Sequence, residues 1–445
     1  MEKRIRQFLR TSVLVCILAL IISWWFTAST KHFVLNMGAS YLAAWGLLFS
    51  FSKKSLRHNI LSAILVNSSI ALVIFALELP VLLNVLDYRT VLHTPILAPW
   101  RNPMYQEDPE IIYVRRPYAH LQGTSRGGDI THVFHVPNAN LYNYDLRYDK
   151  HGFRNLQDLD STTYALIGDS FVEGNLVSYI DLVGPRLSQL TEATVTNLGI
   201  IGYGPRHELV LLKRYAIAMQ PQTVIWLFFE GNDLKNVHDF DSMMVNLEYI
   251  RSSNNSFVQR SFTKNALMAI ARLVGDPKPS GQPRSGLFQT ISGEKERLFF
   301  LYPGKPLDTT ELEALASTRE ILTEAHRLCA ANGIKFFVAF APTKYRVYHD
   351  LLELDQESEL TTWTINDLPD RLRALVKNSL PGAGYIDLTP DFVKFASAGK
   401  LLYLTDDSHW NAAGNHLAAQ VIHRGLTQWQ NKDNASIRDN VSTAP

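Results

Sequence analysis

The sequence predicts an α/β protein in which a parallel β-sheet, covered by helices on both faces, is preceded by three transmembrane helices. Two observations carry this prediction. After residue 160, short and nearly continuous apolar runs alternate with amphipathic stretches, a pattern typical of parallel strands buried on both faces. Before residue 88, three stretches of 19 or 20 residues contain no charged side chain.

The three uncharged stretches predict a membrane anchor over residues 1–87. They cover residues 11–30, 33–52 and 59–77, and each is long enough to cross a hydrocarbon core roughly 30 Å thick. A cleaved signal peptide is the alternative for the first stretch, but the two stretches that follow favour permanent helices. Cations cluster before the first stretch and between the second and third, which places both segments in the cytoplasm. We therefore expect a multi-pass protein of the inner membrane whose remaining chain is extracytoplasmic, in the periplasm.

Composition excludes several classes of function. Hydrophobic residues make up 46% of the 445 residues and charged residues 19%, which indicates a folded chain rather than a disordered one. The formal net charge of +1 gives no basic surface for nucleic acid, so we expect no nucleic-acid partner. With Cys16 and Cys329 as its two cysteines, the chain fits neither a disulfide scaffold nor a cysteine-rich zinc site.

Composition also divides the chain beyond the anchor. Residues 88–160 are rich in Tyr, Arg, Asn and Pro, and we expect a segment with short strands there, for example at 110–114 and 131–136. The α/β domain is predicted over residues 161–430, followed by a flexible tail at 431–445. Within that domain, residues 235–308 contain stretches rich in Pro, Gly and Ser, which predict an inserted linker or lid. We expect the strands of the domain at 164–167, 194–198, 223–229, 335–341 and 384–388, and its helices at 176–190, 206–219, 310–332, 364–378 and 412–429.

Four short motifs lie where predicted strands end or where the last helix begins. Ser170 ends a Gly-Asp-Ser tripeptide after the first strand, Gly202 lies shortly after the second strand, and Asn232 follows the third. His409 directly precedes the last helix. Because ligands bind at the carboxyl ends of strands in open parallel sheets, we expect these four residues to meet at that edge.

These residue types are the ones that acyl transfer requires. Ser170 can act as the nucleophile and His409 as the general base. Asp406, three residues before His409, can hold the imidazole in its productive tautomer. Asp407 is the alternative, but the three-residue offset favours Asp406.

An oxyanion hole is predicted from three groups. The backbone amides of Ser170 and Gly202 and the side-chain amide of Asn232 can donate hydrogen bonds to a developing negative charge. Glycine at position 202 allows the main chain to approach closely. Gly199 and Gly204 lie near enough in sequence to be alternatives for that role.

This constellation resembles the SGNH (GDSL) hydrolase family, which is named for its Ser, Gly, Asn and His blocks. Ser170, Gly202, Asn232 and His409 match the four blocks, and the Asp-x-x-His spacing is intact, over residues 161–430. The resemblance implies a three-layer α/β/α, flavodoxin-like sheet and an esterase or acyltransferase that uses no cofactor. We also expect no metal site.

A narrower resemblance points to the alginate-modifying type of polysaccharide O-acetyltransferase. It rests on residues 341–348, which read Ala-Pro-Thr-Lys-Tyr-Arg-Val-Tyr, and on the His409-Trp410 pair. Those transferases carry their Asp-x-His-Trp block ahead of the serine, whereas here the histidine follows Ser170 with hydrolase spacing.

The expected function is therefore a serine esterase that removes O-acetyl groups from an envelope or extracellular polysaccharide. A glycan O-acetyltransferase with the same Ser-His-Asp site is the alternative, because both enzymes form an acyl-enzyme. A catalytically silent scaffold of a polysaccharide assembly is a third. The expected partners are an acylated glycan, the lipid bilayer and, for a transferase, a membrane protein that donates acetyl groups.

Overall fold

The computed structural model describes residues 30–52, 54–92, 104–134, 136, 138–245, 256–274 and 284–442. These residues form two compact units. The first contains the described residues up to 92 together with 256–274. The second contains residues 104–245, apart from positions 135 and 137, and residues 284–442.

In chain order, the helices are α1 (Thr30–Phe51), α2 (Leu56–Leu82), α3 (Tyr88–Leu92), α4 (Asp129–Val133), α5 (Ser170–Glu173), α6 (Val183–Thr191), α7 (Pro205–Leu211), α8 (Asp233–Val245), α9 (Phe257–Arg260), α10 (Phe262–Val274), α11 (Thr309–Ala331), α12 (Lys344–Tyr348), α13 (Leu368–Ser379), α14 (Thr389–Ser397) and α15 (Ala412–Ser442). The strands are β1 (Tyr105–Asp108), β2 (Ile112–Arg115), β3 (His120–Arg126), β4 (Leu141–Arg147), β5 (Tyr164–Gly168), β6 (Val195–Gly199), β7 (Thr223–Phe229), β8 (Ser285–Gln289), β9 (Lys295–Phe299), β10 (Lys335–Ala341), β11 (Leu352–Glu353) and β12 (Gly384–Asp387). Short 3₁₀ or π-helical turns cover Tyr179–Asp181, Leu212–Ala216, Ile217–Met219, His349–Leu351 and Glu359–Thr362.

Five parallel strands form the central sheet of the second unit, in the order β12-β10-β7-β5-β6. They are the five strands that the apolar runs predict. Counted along the chain, their order is the 2-1-3-4-5 arrangement of flavodoxin-like sheets. The predicted α/β fold with a parallel sheet is confirmed. In this topology, the ends of β5, β6 and β7 border the point where ligands bind.

The central sheet separates two hydrophobic cores, which explains why its strands are apolar on both faces. All seven residues of β7 are buried. Trp226 and Phe228 pack into the core that α7, α11 and α13 cover, whereas Ile225 and Leu227 pack into the core that α6, α14 and α15 cover. Alternate residues of a strand point to opposite faces, so one continuous apolar run serves both layers.

The segment before the central sheet forms two antiparallel pairs, β1 with β2 and β3 with β4. The strand predicted at 110–114 corresponds to β2, but the prediction of a strand at 131–136 is wrong. There the chain turns into α4, because Asp129 at its first position bonds to the distant turn at 407–408 through both its backbone and its side chain. These tertiary contacts override the strand preference of the β-branched residues that follow.

Residues 148–155 connect this segment to the central sheet. Asn155 Nδ2 donates to the backbone oxygen of Asn197 at 3.0 Å, and Asn197 N donates to Asn155 Oδ1 at 3.0 Å. This reciprocal pair attaches the segment to β6.

The first unit contains the candidate membrane anchor. Among the residues that the structure describes, α2 is the one helix that is long and apolar enough to cross a membrane, by length and composition alone. Glu78, near its carboxyl end, accepts hydrogen bonds from Phe262 N at 2.9 Å and Thr263 N at 2.8 Å. A carboxylate on the first amide groups of a helix satisfies donors that have no partner within that helix. Glu78 therefore caps α10, so that α10 packs against α2.

The prediction of three membrane helices is not supported. Residues 11–30 lie outside the described residues. Residues 33–51 lie in α1, in which the described apolar stretch is Gly38–Phe49, shorter than a membrane span. The described structure thus supports one candidate span.

Two other segments differ from their predicted organisation. The predicted insertion at 235–308 is divided, since α9 and α10 belong to the first unit whereas β8, β9 and β11 form a three-stranded antiparallel sheet in the second. The last helix extends to Ser442, through most of the residues for which a flexible tail is predicted.

Candidate active site

Ser170 lies at the turn between β5 and α5. Asp169 is the N-cap of α5, and its Oδ1 accepts from Phe171 N at 2.9 Å. Gly168 is required at the end of the strand, because a Cβ atom there would lie 2.6 Å from Val172 Cγ2. The sharp turn holds the Ser170 hydroxyl at the carboxyl edge of the sheet, where the residue is 7% exposed.

His409 reaches Ser170 from a turn that is 239 residues away in the sequence. Its Nε2 lies 2.7 Å from Ser170 Oγ, and its Nδ1 lies 2.6 Å from Asp407 Oδ1. The backbone amide of His409 also donates to Asp407 Oδ1, at 2.7 Å. The hydroxyl, imidazole and carboxylate form one hydrogen-bonded chain, the arrangement by which a base removes a proton from a nucleophile.

The prediction that Asp406 holds His409 is wrong, since Asp407 does so. Asp406 accepts from Asn140 N at 2.7 Å and from the Tyr142 hydroxyl, which belong to the segment before the central sheet. Both oxygens of the Asp406 carboxylate accept from these two residues, and neither accepts from the imidazole. Asp406 is instead part of the contact between the 405–408 turn and the β3–β4 hairpin.

The charges around the imidazole favour its protonated form. Burial opposes protonation of His409, but the negative charge and hydrogen bond of Asp407, with the charge of Asp129, raise the pKa of His409 to about 9. Burial also opposes ionisation of Asp407, yet His409 and the amides that donate to it hold the pKa of Asp407 well below its usual range. Both shifts describe a tightly paired imidazolium and carboxylate.

The predicted oxyanion residues lie at the ends of the two strands that flank β5. Gly202 follows β6 with a φ of +79°, a left-handed conformation that favours glycine. Asn232 follows β7, and its side chain interacts with Asp169, the neighbour of Ser170. The three predicted donors therefore share the edge of the sheet that holds the Ser170 hydroxyl.

Lys344 supports the turn that carries His409. The side chain is buried, and its Nζ lies 2.9 Å from Phe299 O, 2.5 Å from Leu404 O, 2.9 Å from Thr405 O and 3.1 Å from Asp407 O. Burial lowers the pKa of Lys344 to about 7. The lysine ties strand β9 and the 404–407 stretch to the end of β10.

Trp410 packs in the interior and does not line an open pocket. The residue is 1% exposed, and its ring lies 4.8 Å from that of Phe171 and 5.3 Å from that of Phe392. It therefore anchors the chain directly after His409.

Asp129 is a residue near the site that motif analysis does not identify. Its Oδ2 lies 3.9 Å from His409 Nδ1, and Ser408 N donates to its Oδ1 at 2.8 Å. Asp129 lies in a segment with no family motif, and only the folded hairpin brings it to His409. No local sequence signal identifies it.

Among the described residues, Asp129, Asp407 and His409 also present three potential metal-binding atoms within 4.8 Å of one another. In this arrangement the imidazole nitrogens face Ser170 and Asp407, and both carboxylates accept hydrogen bonds from amides. A resident ion would have to displace these bonds, so the residues suit proton transfer better than metal binding.

The flavodoxin-like sheet and the residues at its carboxyl edge are the arrangement that the resemblance to SGNH hydrolases implies. Residues 299–443 match the family model described as "SGNH hydrolase-like domain, acetyltransferase AlgX". The matched third of the chain contains Lys344, Asp407 and His409 but not Ser170. Both resemblances drawn from the motifs are confirmed by this match. No curated protein matches the sequence.

Several solved structures are similar to the chain. A carbohydrate esterase family 2 enzyme with a carbohydrate-binding domain, from Corynascus thermopiles, has a TM-score of 0.33 and 11% identity and covers 66% of this chain and 72% of its own. The alpha/beta hydrolase LAE5 from the metagenome of Lake Arreo, Spain, has a TM-score of 0.32 and 12% identity, and the match covers 60% of this chain and 96% of LAE5. A variant of Axe2, an acetyl-xylooligosaccharide esterase from Geobacillus Stearmophilus, has a TM-score of 0.31 and 11% identity, and the match covers 61% of this chain and 96% of the esterase.

Proposed function

We propose that this protein is a serine esterase or acyltransferase of the SGNH type that acts on O-acetyl groups of an envelope or extracellular polysaccharide. The observation that carries the proposal is the continuous hydrogen-bonded chain from Ser170 Oγ through His409 to Asp407. Ser170 is the proposed nucleophile, His409 the general base, and Asp407 the residue that orients the imidazole.

In the first half-reaction, Ser170 Oγ forms a bond to the carbonyl carbon of the ester while its proton passes to His409 Nε2. The negative charge moves to the carbonyl oxygen, which the amides of Ser170 and Gly202 and the side chain of Asn232 stabilise. When the tetrahedral intermediate collapses, the ester C–O bond breaks and His409 gives its proton to the departing sugar oxygen. The acetyl group remains on Ser170.

The second half-reaction separates the two candidate activities. In an esterase, water gives a proton to His409 as it attacks the acetyl-serine. The bond between the acyl carbon and Ser170 Oγ then breaks, His409 returns the proton to Oγ, and acetate leaves. In a transferase, a sugar hydroxyl takes the place of water and becomes acetylated. The match of residues 299–443 to an acetyltransferase family model favours the transferase as a second candidate.

The proposed location is the outer side of the inner membrane, in the periplasm, with helix α2 as the anchor. The apolar character of Leu56–Leu82 supports an anchor, and the family that residues 299–443 match suggests the periplasm. A membrane-bound enzyme of this kind would meet both its glycan and an acetyl-donor protein at the membrane surface.

The test uses the full chain purified in detergent and a chromogenic acetate ester. We expect the wild type to release the chromophore and Ser170→Ala to lose at least about a thousandfold in kcat/KM. Equal slow release by both proteins would overturn the proposal and leave a catalytically silent scaffold. With an oligosaccharide acceptor present, the ratio of acetylated sugar to free acetate then distinguishes a transferase from an esterase.

A further inference from the structure

The hairpin formed by β3 and β4 holds the turn that carries His409. Asp129 N donates to Asp407 Oδ2 at 2.7 Å, and Asn140 Nδ2 donates to Thr405 Oγ1 at 2.8 Å. The fit is close, because a Cβ atom on Gly128 would lie 2.1 Å from Asp407 Oδ2. The carboxylate that orients His409 is thus itself oriented by the hairpin.

The same hairpin brings a second carboxylate to the imidazole. Asp129 Oδ1 accepts from Ser408 N at 2.8 Å, its Oδ2 accepts from the Ser408 hydroxyl, and Oδ2 lies 3.9 Å from His409 Nδ1. Asp407 Oδ1 already pairs with His409 Nδ1 in a hydrogen bond of 2.6 Å. Asp129, at 3.9 Å from Nδ1, is too distant to form that hydrogen bond. At 3.9 Å, its charge still acts strongly on the imidazole in a partly buried site.

Several other charged or titratable groups face this pair. Asp169 contributes negative charge to His409 from the β5–α5 turn. Lys344, when protonated, interacts electrostatically with Asp129, and the Tyr302 hydroxyl interacts with Ser408 and with the charge of Asp129. Burial and the neighbouring Asp407 raise the pKa of Asp129 to about 6, so Asp129 is ionised over the range in which His409 loses its proton.

We propose that Asp129 is a positioning residue that holds the 407–409 turn and, through its charge, sets the pH range in which His409 can accept the Ser170 proton. The inference deepens the proposed function and rests on it for the role of Ser170. Its physical core, an effect of Asp129 on the protonation of His409, does not depend on ester turnover.

The test follows the protonation of His409 directly. Diethyl pyrocarbonate reacts with neutral imidazole, and peptide mass spectrometry reports its rate at His409, whose side chain is 22% exposed. In the full chain in detergent, we expect Asp129→Asn to shift the midpoint of this reaction downward by about one pH unit, because one nearby negative charge is removed. Asp129→Glu keeps the negative charge, so its midpoint should lie close to that of the wild type.

Asp145→Asn is the matched control, since Asp145 lies on β4 of the same hairpin with 43% of its side chain exposed. It should leave the midpoint unchanged. A midpoint in Asp129→Asn within about 0.2 of a unit of the wild type, in a protein that unfolds at the wild-type temperature, would overturn the inference. If Asp129→Asn does not fold, an unshifted midpoint in the folded Ser408→Ala protein would overturn it, because that substitution removes the hydroxyl that holds the Asp129 carboxylate in place.

The acetate-ester assay separates the two proposals. A downward shift at His409 together with a matching shift in the acid limb of kcat/KM supports both. A shift at His409 without Ser170-dependent ester turnover supports the effect of Asp129 but overturns the proposed function.

Discussion

Two adjacent aspartates precede His409, and they accept hydrogen bonds from different partners. Asp407 pairs with the backbone amide and the ring Nδ1 of His409. Asp406 accepts from Asn140 and Tyr142. Removing the charge of Asp407 would leave the imidazole without the group that fixes its tautomer. Removing that of Asp406 alters only a contact with the hairpin.

We therefore predict that Asp407→Asn lowers kcat on an acetate ester by roughly 10³–10⁴-fold, while Asp406→Asn lowers it by less than about tenfold. Steady-state kinetics of the two purified variants, with circular dichroism to verify folding, would check this. A larger loss in Asp406→Asn than in Asp407→Asn would restore the assignment made from sequence spacing.

The placement of Ser170, Gly202, Asn232 and His409 at one edge of the sheet could be predicted from the sequence, because each lies at a strand end or helix start within a recognisable motif. The sequence could not decide between Asp406 and Asp407, because an aspartate either two or three residues before His409 can reach the imidazole in a turn. The hairpin decides it by engaging Asp406 and presenting an amide to Asp407. The position of Asp129 next to His409 could not be predicted either, because it depends on a contact with Asp407, which lies 278 residues further along the chain.

The activity should depend on pH in a defined direction. His409 must be neutral to accept the Ser170 proton, and its pKa is raised from 6.5 to about 9. Below that value most of the imidazole is protonated, so kcat/KM should rise with pH across the range from 7 to 9. The measurement is kcat/KM as a function of pH, with the rate of Ser170→Ala subtracted to remove spontaneous hydrolysis. An acid limb of this profile with its midpoint near 6.5 would contradict the prediction.

At the scale of elements, the end of β10 and the start of α12 position Lys344 next to the 404–407 stretch that precedes His409. Its Nζ hydrogen-bonds to carbonyls of β9 and of residues 404–407. Because buried carbonyls that lose their donor cost about 1–3 kcal/mol each, these bonds are important for the order of the turn.

We predict that Lys344→Met lowers the midpoint of thermal unfolding by at least about 3 °C and lowers kcat by more than tenfold. Lys394→Met, at an exposed position on α14, is the matched control and should change neither quantity. Thermal denaturation and the ester assay measure the two effects. Wild-type behaviour of Lys344→Met would show that the turn is held by other contacts.

The elements of the sheet were the most predictable part of the fold, because strands buried on both faces leave long apolar runs such as β7. Short elements outside the sheet were less predictable. Helix α4 carries β-branched residues but is fixed by contacts of Asp129 with the 407–408 turn, and such long-range contacts leave no local pattern.

At the scale of the whole molecule, the anchor is the feature on which sequence and structure differ most. Uncharged length alone predicts three spans, whereas the described residues support α2 as a span. Leu65 and Ile70 lie on exposed faces of this helix. A lysine near the centre of a membrane helix costs about 2.5–3.5 kcal/mol on insertion.

We predict that the double substitution Leu65→Lys and Ile70→Lys releases most of the protein from membranes washed with alkaline carbonate. The conservative pair Leu65→Val and Ile70→Val should remain in the membrane fraction. Retention of the lysine variant would show that segments other than Leu56–Leu82 hold the chain in the bilayer.

The central claim is that Ser170 becomes covalently acylated during turnover, and trapping that adduct tests it most directly. The wild type and His409→Ala are mixed with an acetyl ester, quenched rapidly in acid, digested, and analysed by peptide mass spectrometry. We predict an acetyl group on Ser170 in the wild type and its near absence in His409→Ala. Ester turnover that leaves Ser170 unmodified, and that persists in Ser170→Ala, would contradict the account.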